Sequence, residues 1–184
     1  MPDSVLKTLK DNLYLPINKY GEYLLKAINN SNLPNFKLIL EPGTAIVANS
    51  MYLVGNIKSI TNKLNKTYLN TDMTRNLIGG MSNDTTYPAE YVSRLAIKSG
   101  EKVKKKYILS GYTCVEGDLM GDLELDVEPE INDKVVLSNI GSYSNVFKSP
   151  FIRPDIATYT WDGETLKCVR RKQLVEDIAN LDLI

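Results

Sequence analysis

From residue 51 onward the chain breaks into short runs rich in branched and aromatic residues, each closed by a polar or glycine-bearing turn. That rhythm limits what it can fold into. Residues 51–60, 66–70, 89–97, 105–115, 134–139, 156–161 and 165–169 all have strand character. Thr61-Asn62-Lys63 separates the first two runs, and Gly79 to Pro88 reads as an irregular loop. Asn132-Asp133 turns the chain into the 134–139 run, and Asp162-Gly163 is placed for a two-residue hairpin. Short strands at such spacing predict a β-sandwich or barrel. Leu174, Ile178 and Leu181 share one helical face, so 171–181 is predicted to be a closing helix.

The first fifty residues have a different character. Val5, Leu6 and Leu9, then Tyr20, Tyr23, Leu24 and Ala27 beyond Pro16, predict helix over 4–30. Residues 36–40 form a short apolar run bounded by Pro34 and by Pro42-Gly43, which predicts a fully buried strand of the parallel-sheet kind. A helix followed by such a strand is half of an α/β-barrel repeat. Glu41 stands at the carboxyl end of this strand, where barrels gather their functional groups. The plainer reading is a strand that ends in a turn with Glu41 in solvent, and pattern alone favours it.

Composition narrows the function. The 22 basic and 22 acidic residues balance, so no footprint for nucleic acid or an anionic membrane exists. No run reaches bilayer-spanning length, and Met1-Pro2-Asp3-Ser4 lacks a secretory pattern, so a cytoplasmic setting is expected. Cys114 and Cys168 are too few for a disulfide framework. The chain holds 0 histidines, which excludes a Ser-His-Asp hydrolase or a histidine-based zinc site built from its residues.

Four stretches carry a resemblance: Glu41-Pro42-Gly43; Ser110-Gly111-Tyr112-Thr113-Cys114-Val115-Glu116-Gly117-Asp118; Asn132-Asp133 through Gly141-Ser142-Tyr143; and Trp161-Asp162-Gly163 through Asp177. In order and spacing they resemble the pyridoxal-phosphate-dependent amino-acid decarboxylases with an alanine-racemase-type barrel, among them diaminopimelate, ornithine and arginine decarboxylases. The resemblance implies the C-terminal half of such an enzyme. Its expected fold class is α+β, mainly β: the last elements of a (β/α) barrel over 1–49, a β-sandwich or barrel domain over 50–170, and a C-terminal helix over 171–184. It implies pyridoxal 5'-phosphate as cofactor, an amino acid as substrate, and either a homodimer or a separate barrel-bearing chain as partner. Glu41 would pair with the cofactor's pyridine nitrogen. Gly43, Thr44 and Tyr143 would bind the cofactor, Tyr143 by donating its hydroxyl to the phosphate. Cys114 would enter the active site of the other subunit and act on the intermediate left after carbon dioxide departs.

Departures from the family pattern matter as much. Thr44 stands where the family has arginine, so an anion is met by one hydroxyl instead of a bidentate fork. Val115 replaces the acidic residue that receives the distal amino group of a diamino acid, leaving Glu116 or Asp118 as the substrate-binding candidates. The family's phenylalanine-asparagine pair is Phe151-Ile152 here. Its Schiff-base lysine belongs to an early barrel strand with no counterpart in this sequence. Turnover by the chain alone is therefore not expected. The alternatives are a non-catalytic subunit that binds and regulates a decarboxylase, and an inactive truncated remnant.

Overall fold

The computed structural model describes residues 17–31, 37–79, 87–93 and 104–180. Helix α1 (Ile17–Asn29) ends near the Asn-rich stop signal, where Asn30 N donates to Lys26 O. The earlier part of the predicted 4–30 helix, residues 4–16, lies outside the described residues.

The predicted buried strand at 36–40 is not found where the chain is described. Residues 37–43 carry no regular structure, and Leu38, Ile39 and Leu40 are 48%, 68% and 58% exposed. Phe36 itself lies outside the described residues. The reason is physical: a strand gains its hydrogen bonds and its burial from a neighbour, and no described strand pairs with this run.

The mainly-β expectation holds. Strands β1 (Leu53–Lys63), β2 (Lys66–Thr71), β3 (Ala89–Val92), β4 (Lys105–Ser110), β5 (Leu119–Leu125) and β6 (Lys134–Leu137) form one sheet in the order β3-β6-β1-β2-β4-β5. Every pairing is antiparallel except β2 with β4. The two ends of the sheet approach each other, and Tyr87 N donates to Met120 O at 3.2 Å, so the sheet nearly closes into a barrel. Alternate residues fill the interior: Leu53 and Ile57 from β1, Leu69 from β2, Tyr107 and Leu109 from β4, Leu123 and Leu125 from β5, Val135 and Leu137 from β6.

Several boundaries differ from the sequence reading. Thr61, Asn62 and Lys63 are not a turn; they pair with Tyr68, Thr67 and Lys66 at the end of β1. The turn is Leu64-Asn65, both at positive φ (50° and 60°), as a two-residue type I′ hairpin requires. The 105–115 run stops at Ser110, and β3 covers only the start of 89–97, of which 94–97 lie outside the described residues. Strand β5 was not anticipated.

A second sheet pairs β7 (Thr158–Trp161) with β8 (Leu166–Arg170). Trp161 faces Leu166, so the loop spans Asp162 to Thr165 and is not the two-residue turn expected. Asp162 organises it by accepting from Thr165 N at 2.8 Å and Glu164 N at 2.9 Å. These backbone bonds, Thr165 first, hold its carboxyl down at about 2. Helix α4 (Val175–Ala179) covers part of the predicted 171–181 element, of which 171–174 are not helical and 181 lies outside the described residues. No helix among the described residues is long and apolar enough to cross a membrane.

The turn before β6 is fixed by Asp133, which is buried, hydrogen-bonds the Tyr91 hydroxyl and accepts from Glu130 N at 2.8 Å. Burial, then the bond to Asp133, pushes the Tyr91 phenol up to about 12. An unfolded tyrosine titrates near about 10. The stabilisation is therefore complete below that pH and is lost as pH rises through the folded value. Urea unfolding should show wild type losing stability between pH about 10 and 12, more steeply than Tyr91→Phe, in which the buried phenols of Tyr107 and Tyr112 still titrate. Identical slopes in the two proteins would refute this role.

Candidate active site

Two loops far apart in sequence meet beside the barrel. The first is Glu41-Pro42-Gly43, which leads into the short helix α2 (Thr44–Val47). The second is Gly141-Ser142-Tyr143, which leads into α3 (Ser144–Phe147). Thr44 Oγ1 and Ser142 Oγ are hydrogen-bonded at 2.9 Å. The Tyr143 hydroxyl lies 3.6 Å from the point where a Gly43 Cβ would stand. Below them Gly141 N donates to Ala48 O at 2.8 Å, and Ser50 Oγ donates to Val47 O at 2.7 Å.

Tyr143 is held by its backbone. It adopts the left-handed region (φ 63°, ψ −11°), a conformation costing a non-glycine residue on the order of 1 kcal/mol. The surrounding bonds enforce it. Phe147 N and Val146 N both donate to Tyr143 O, and the buried Ser144 hydroxyl contacts the carbonyls of Ile78 and Ile140. The Tyr143 ring rests on Phe147, with centroids 5.5 Å apart, yet the residue remains 58% exposed. Its hydroxyl is thus presented outward from a fixed frame. Glu41 is exposed at the rim of the same junction.

The other predicted residues sit on the loop between β4 and β5. Gly111 N donates to Asp118 O at 2.8 Å, closing the loop. Asp118 is 6% exposed, and its carboxylate accepts from Thr74 Oγ1 (3.0 Å), Arg75 N (2.9 Å), Thr113 N (3.1 Å) and Thr113 Oγ1 (2.6 Å). A Cβ on Gly111 would lie 2.0 Å from Asp118 Oδ2, so glycine is needed there. The inward anchor leaves Cys114, Val115 and Glu116 exposed at the tip. Of the two acidic candidates, only Glu116 is open to solvent. Among the described residues no hydrogen bond ties Cys114 to the Gly43–Tyr143 junction.

No protein-family model matches the sequence. Curated relatives do. The diaminopimelate decarboxylase of Synechocystis sp. is 31% identical over 135 residues, covering 70% of this chain and 27% of that protein. The one from Haemophilus influenzae is 27% identical over 169 residues, covering 89% of this chain and 38% of that protein. A crystal structure of diaminopimelate decarboxylase from Helicobacter pylori complexed with L-lysine has the same fold over 91% of this chain and 40% of that one (TM-score 0.68, 21% identity). This chain corresponds to the C-terminal region of the diaminopimelate decarboxylase family. It spans well under half the length of these relatives.

Diaminopimelate decarboxylases depend on pyridoxal phosphate. The junction fits part of that group. The space beside Gly43 is open except for the Tyr143 hydroxyl, 3.6 Å from where a Cβ would stand. Tyr143, Thr44 and Ser142 offer neutral hydroxyls, which orient a phosphate without neutralising it. Glu41, exposed just before Pro42-Gly43, is a carboxylate of the kind that pairs with a protonated ring nitrogen.

Proposed function

We propose that this chain supplies the C-terminal part of a pyridoxal-phosphate-dependent amino-acid decarboxylase site, completed by a barrel that carries the Schiff-base lysine. One observation carries the reading: Gly43, Thr44 and Tyr143, taken from separate motifs, converge at one junction. When bound, pyridoxal phosphate acts as the sink for the electron pair released as carbon dioxide leaves. Glu41 holds the proton on the ring nitrogen. The Tyr143 hydroxyl and the Thr44–Ser142 pair orient the phosphate, with Gly43 giving it close access to the backbone. The Cys114 thiol delivers a proton to the substrate's α-carbon from a loop that serves the other half of a dimeric site. Glu116, at the open tip of that loop, receives the polar distal end of the amino-acid substrate. Asp118 shapes the loop from within.

The test mixes the purified chain with a lysine-bearing barrel segment of a diaminopimelate decarboxylase, adds pyridoxal phosphate, and follows carbon dioxide release. Tyr143→Phe should weaken cofactor binding about tenfold, the worth of one hydrogen bond to a charged group. Cys114→Ala should lower turnover by on the order of 10²-fold with cofactor binding intact. Cofactor absorbance and turnover that ignore both changes would refute the reading and leave a binding subunit.

A further inference from the structure

A cavity of about 240 Å³ is lined by Asn145 of α3 and by Lys148 just after it, whereas Tyr143 and Phe147 take no part in its wall. Its charge is unbalanced. Lys148 and Asp155, only 18% and 19% exposed, form an ion pair, and Arg170 Nη1 comes within 3.9 Å of the same carboxylate. Asp155 is locked further, since its backbone N donates to Gln173 Oε1 at 3.1 Å and Gln173 N donates to its carbonyl at 3.0 Å. One carboxylate therefore answers two cations, and a third, Arg153, also lines the cavity. The Arg153 guanidinium carbon stands 4.3 Å from the centroid of the Tyr112 ring, a cation–π contact. A guanidinium held in this way still has a fork of N–H donors to offer a planar acceptor. The Asn76 amide and the Ser149 hydroxyl add neutral donors to the wall.

We propose that this cavity binds a small oxyanion, a carboxylate or phosphate compound gripped by Arg153. Positive charge in excess, held in a concave wall, attracts an anion more than a zwitterion, because Asp155, the one carboxylate among the described lining residues, is already paired. With a water's share of volume about 30 Å³, the space is that of a compact oxyanion. The site stands apart from the decarboxylase reading and is not required by it.

Calorimetric titration of the full chain tests this, with inorganic phosphate and citrate as probes and sodium chloride at matched ionic strength as control. Saturable binding of one probe or both is expected, and their ranking separates phosphate from carboxylate chemistry. Arg153→Gln should weaken it about tenfold or more, and Arg153→Lys by less, since charge survives but the fork does not. Arg153 is exposed, so its variants retain the fold. Tyr143→Phe should leave this binding unchanged. Absence of saturable binding, equal binding by Arg153→Gln, or loss on Tyr143→Phe instead would each overturn the proposal.

Discussion

Asp118→Ala is expected to destabilise the barrel by about 2–4 kcal/mol, a large share of what a domain of this size has to lose. The carboxylate is buried and accepts four hydrogen bonds that gather Thr74, Arg75 and Thr113 onto the β4–β5 loop. Removing it strands the buried backbone donor of Arg75, and partly that of Thr113, and each stranded group costs about 1–3 kcal/mol. It also opens a void against Gly111, whose Cα was placed to let the carboxylate in. Asp118→Asn should cost less, because the amide keeps one accepting oxygen but turns a donor toward Thr113. Urea unfolding reads the stability. Alkylation reads the loop: Cys114 should react faster in the variant, while Cys168, exposed on β8 and outside the loop, stays unchanged as an internal reference. If unfolding midpoints move little and both cysteines keep their rates, Asp118 does not hold the loop.

That result bears on what sequence can and cannot reveal. Strand alternation made most of the barrel visible, and β5 had the same signal: Met120, Leu123 and Leu125 turn inward while Asp122 and Glu124 face out. Gly121 and the acidic residues Asp118, Asp122 and Glu124 break up the apolar run, so the signal is weak in the sequence. Composition alone assigns two acidic residues in one motif equal standing. Only the fold separates Asp118, turned inward onto Thr74, from Glu116 at the tip. The β1–β2 turn was misplaced because Thr61-Asn62-Lys63 is polar, whereas Leu64-Asn65 contains an apolar residue. The backbone accepts positive φ at both positions, and the exposed strand end tolerates polarity. Residues 36–40 misled in the opposite sense, since an apolar run announces burial but not the partner that provides it. Motif order placed Gly43 and Tyr143 on one list of candidates, but nothing in the sequence indicated Gly141 as the contact on which their meeting depends. The Arg153–Tyr112 stack was equally hidden, being a contact between residues with no shared motif.

Gly141→Ala should separate that contact from the chemistry built on it. A Cβ at this position would lie 2.0 Å from Val47 O, 2.4 Å from Ser50 Oγ and 3.1 Å from Ala48 O. Side chains can swing away from such a clash; carbonyls bound on both sides cannot. Val47 O accepts from Ser50 Oγ, and Ala48 O accepts from Gly141 N itself, so the whole 44–50 segment must retreat. Overpacking of this kind costs about 1–3 kcal/mol, to which loss of the Gly141–Ala48 bond adds about 1 kcal/mol. Retreat also pulls Thr44 from Ser142 and Gly43 from the Tyr143 hydroxyl. Gly141→Ala is therefore expected to lower the unfolding midpoint and, in a mixture that binds pyridoxal phosphate, to weaken the cofactor by more than the tenfold assigned to Tyr143→Phe. Tyr143→Phe should do the reverse of half of this, losing cofactor affinity with the midpoint unchanged, because its exposed hydroxyl contributes little to the fold. A Gly141→Ala protein that unfolds early yet binds the cofactor normally would mean that the junction is scaffolding alone. Equal affinity loss without destabilisation would mean that the segment moves freely, and that the 2.9 Å Thr44–Ser142 bond does not define the site.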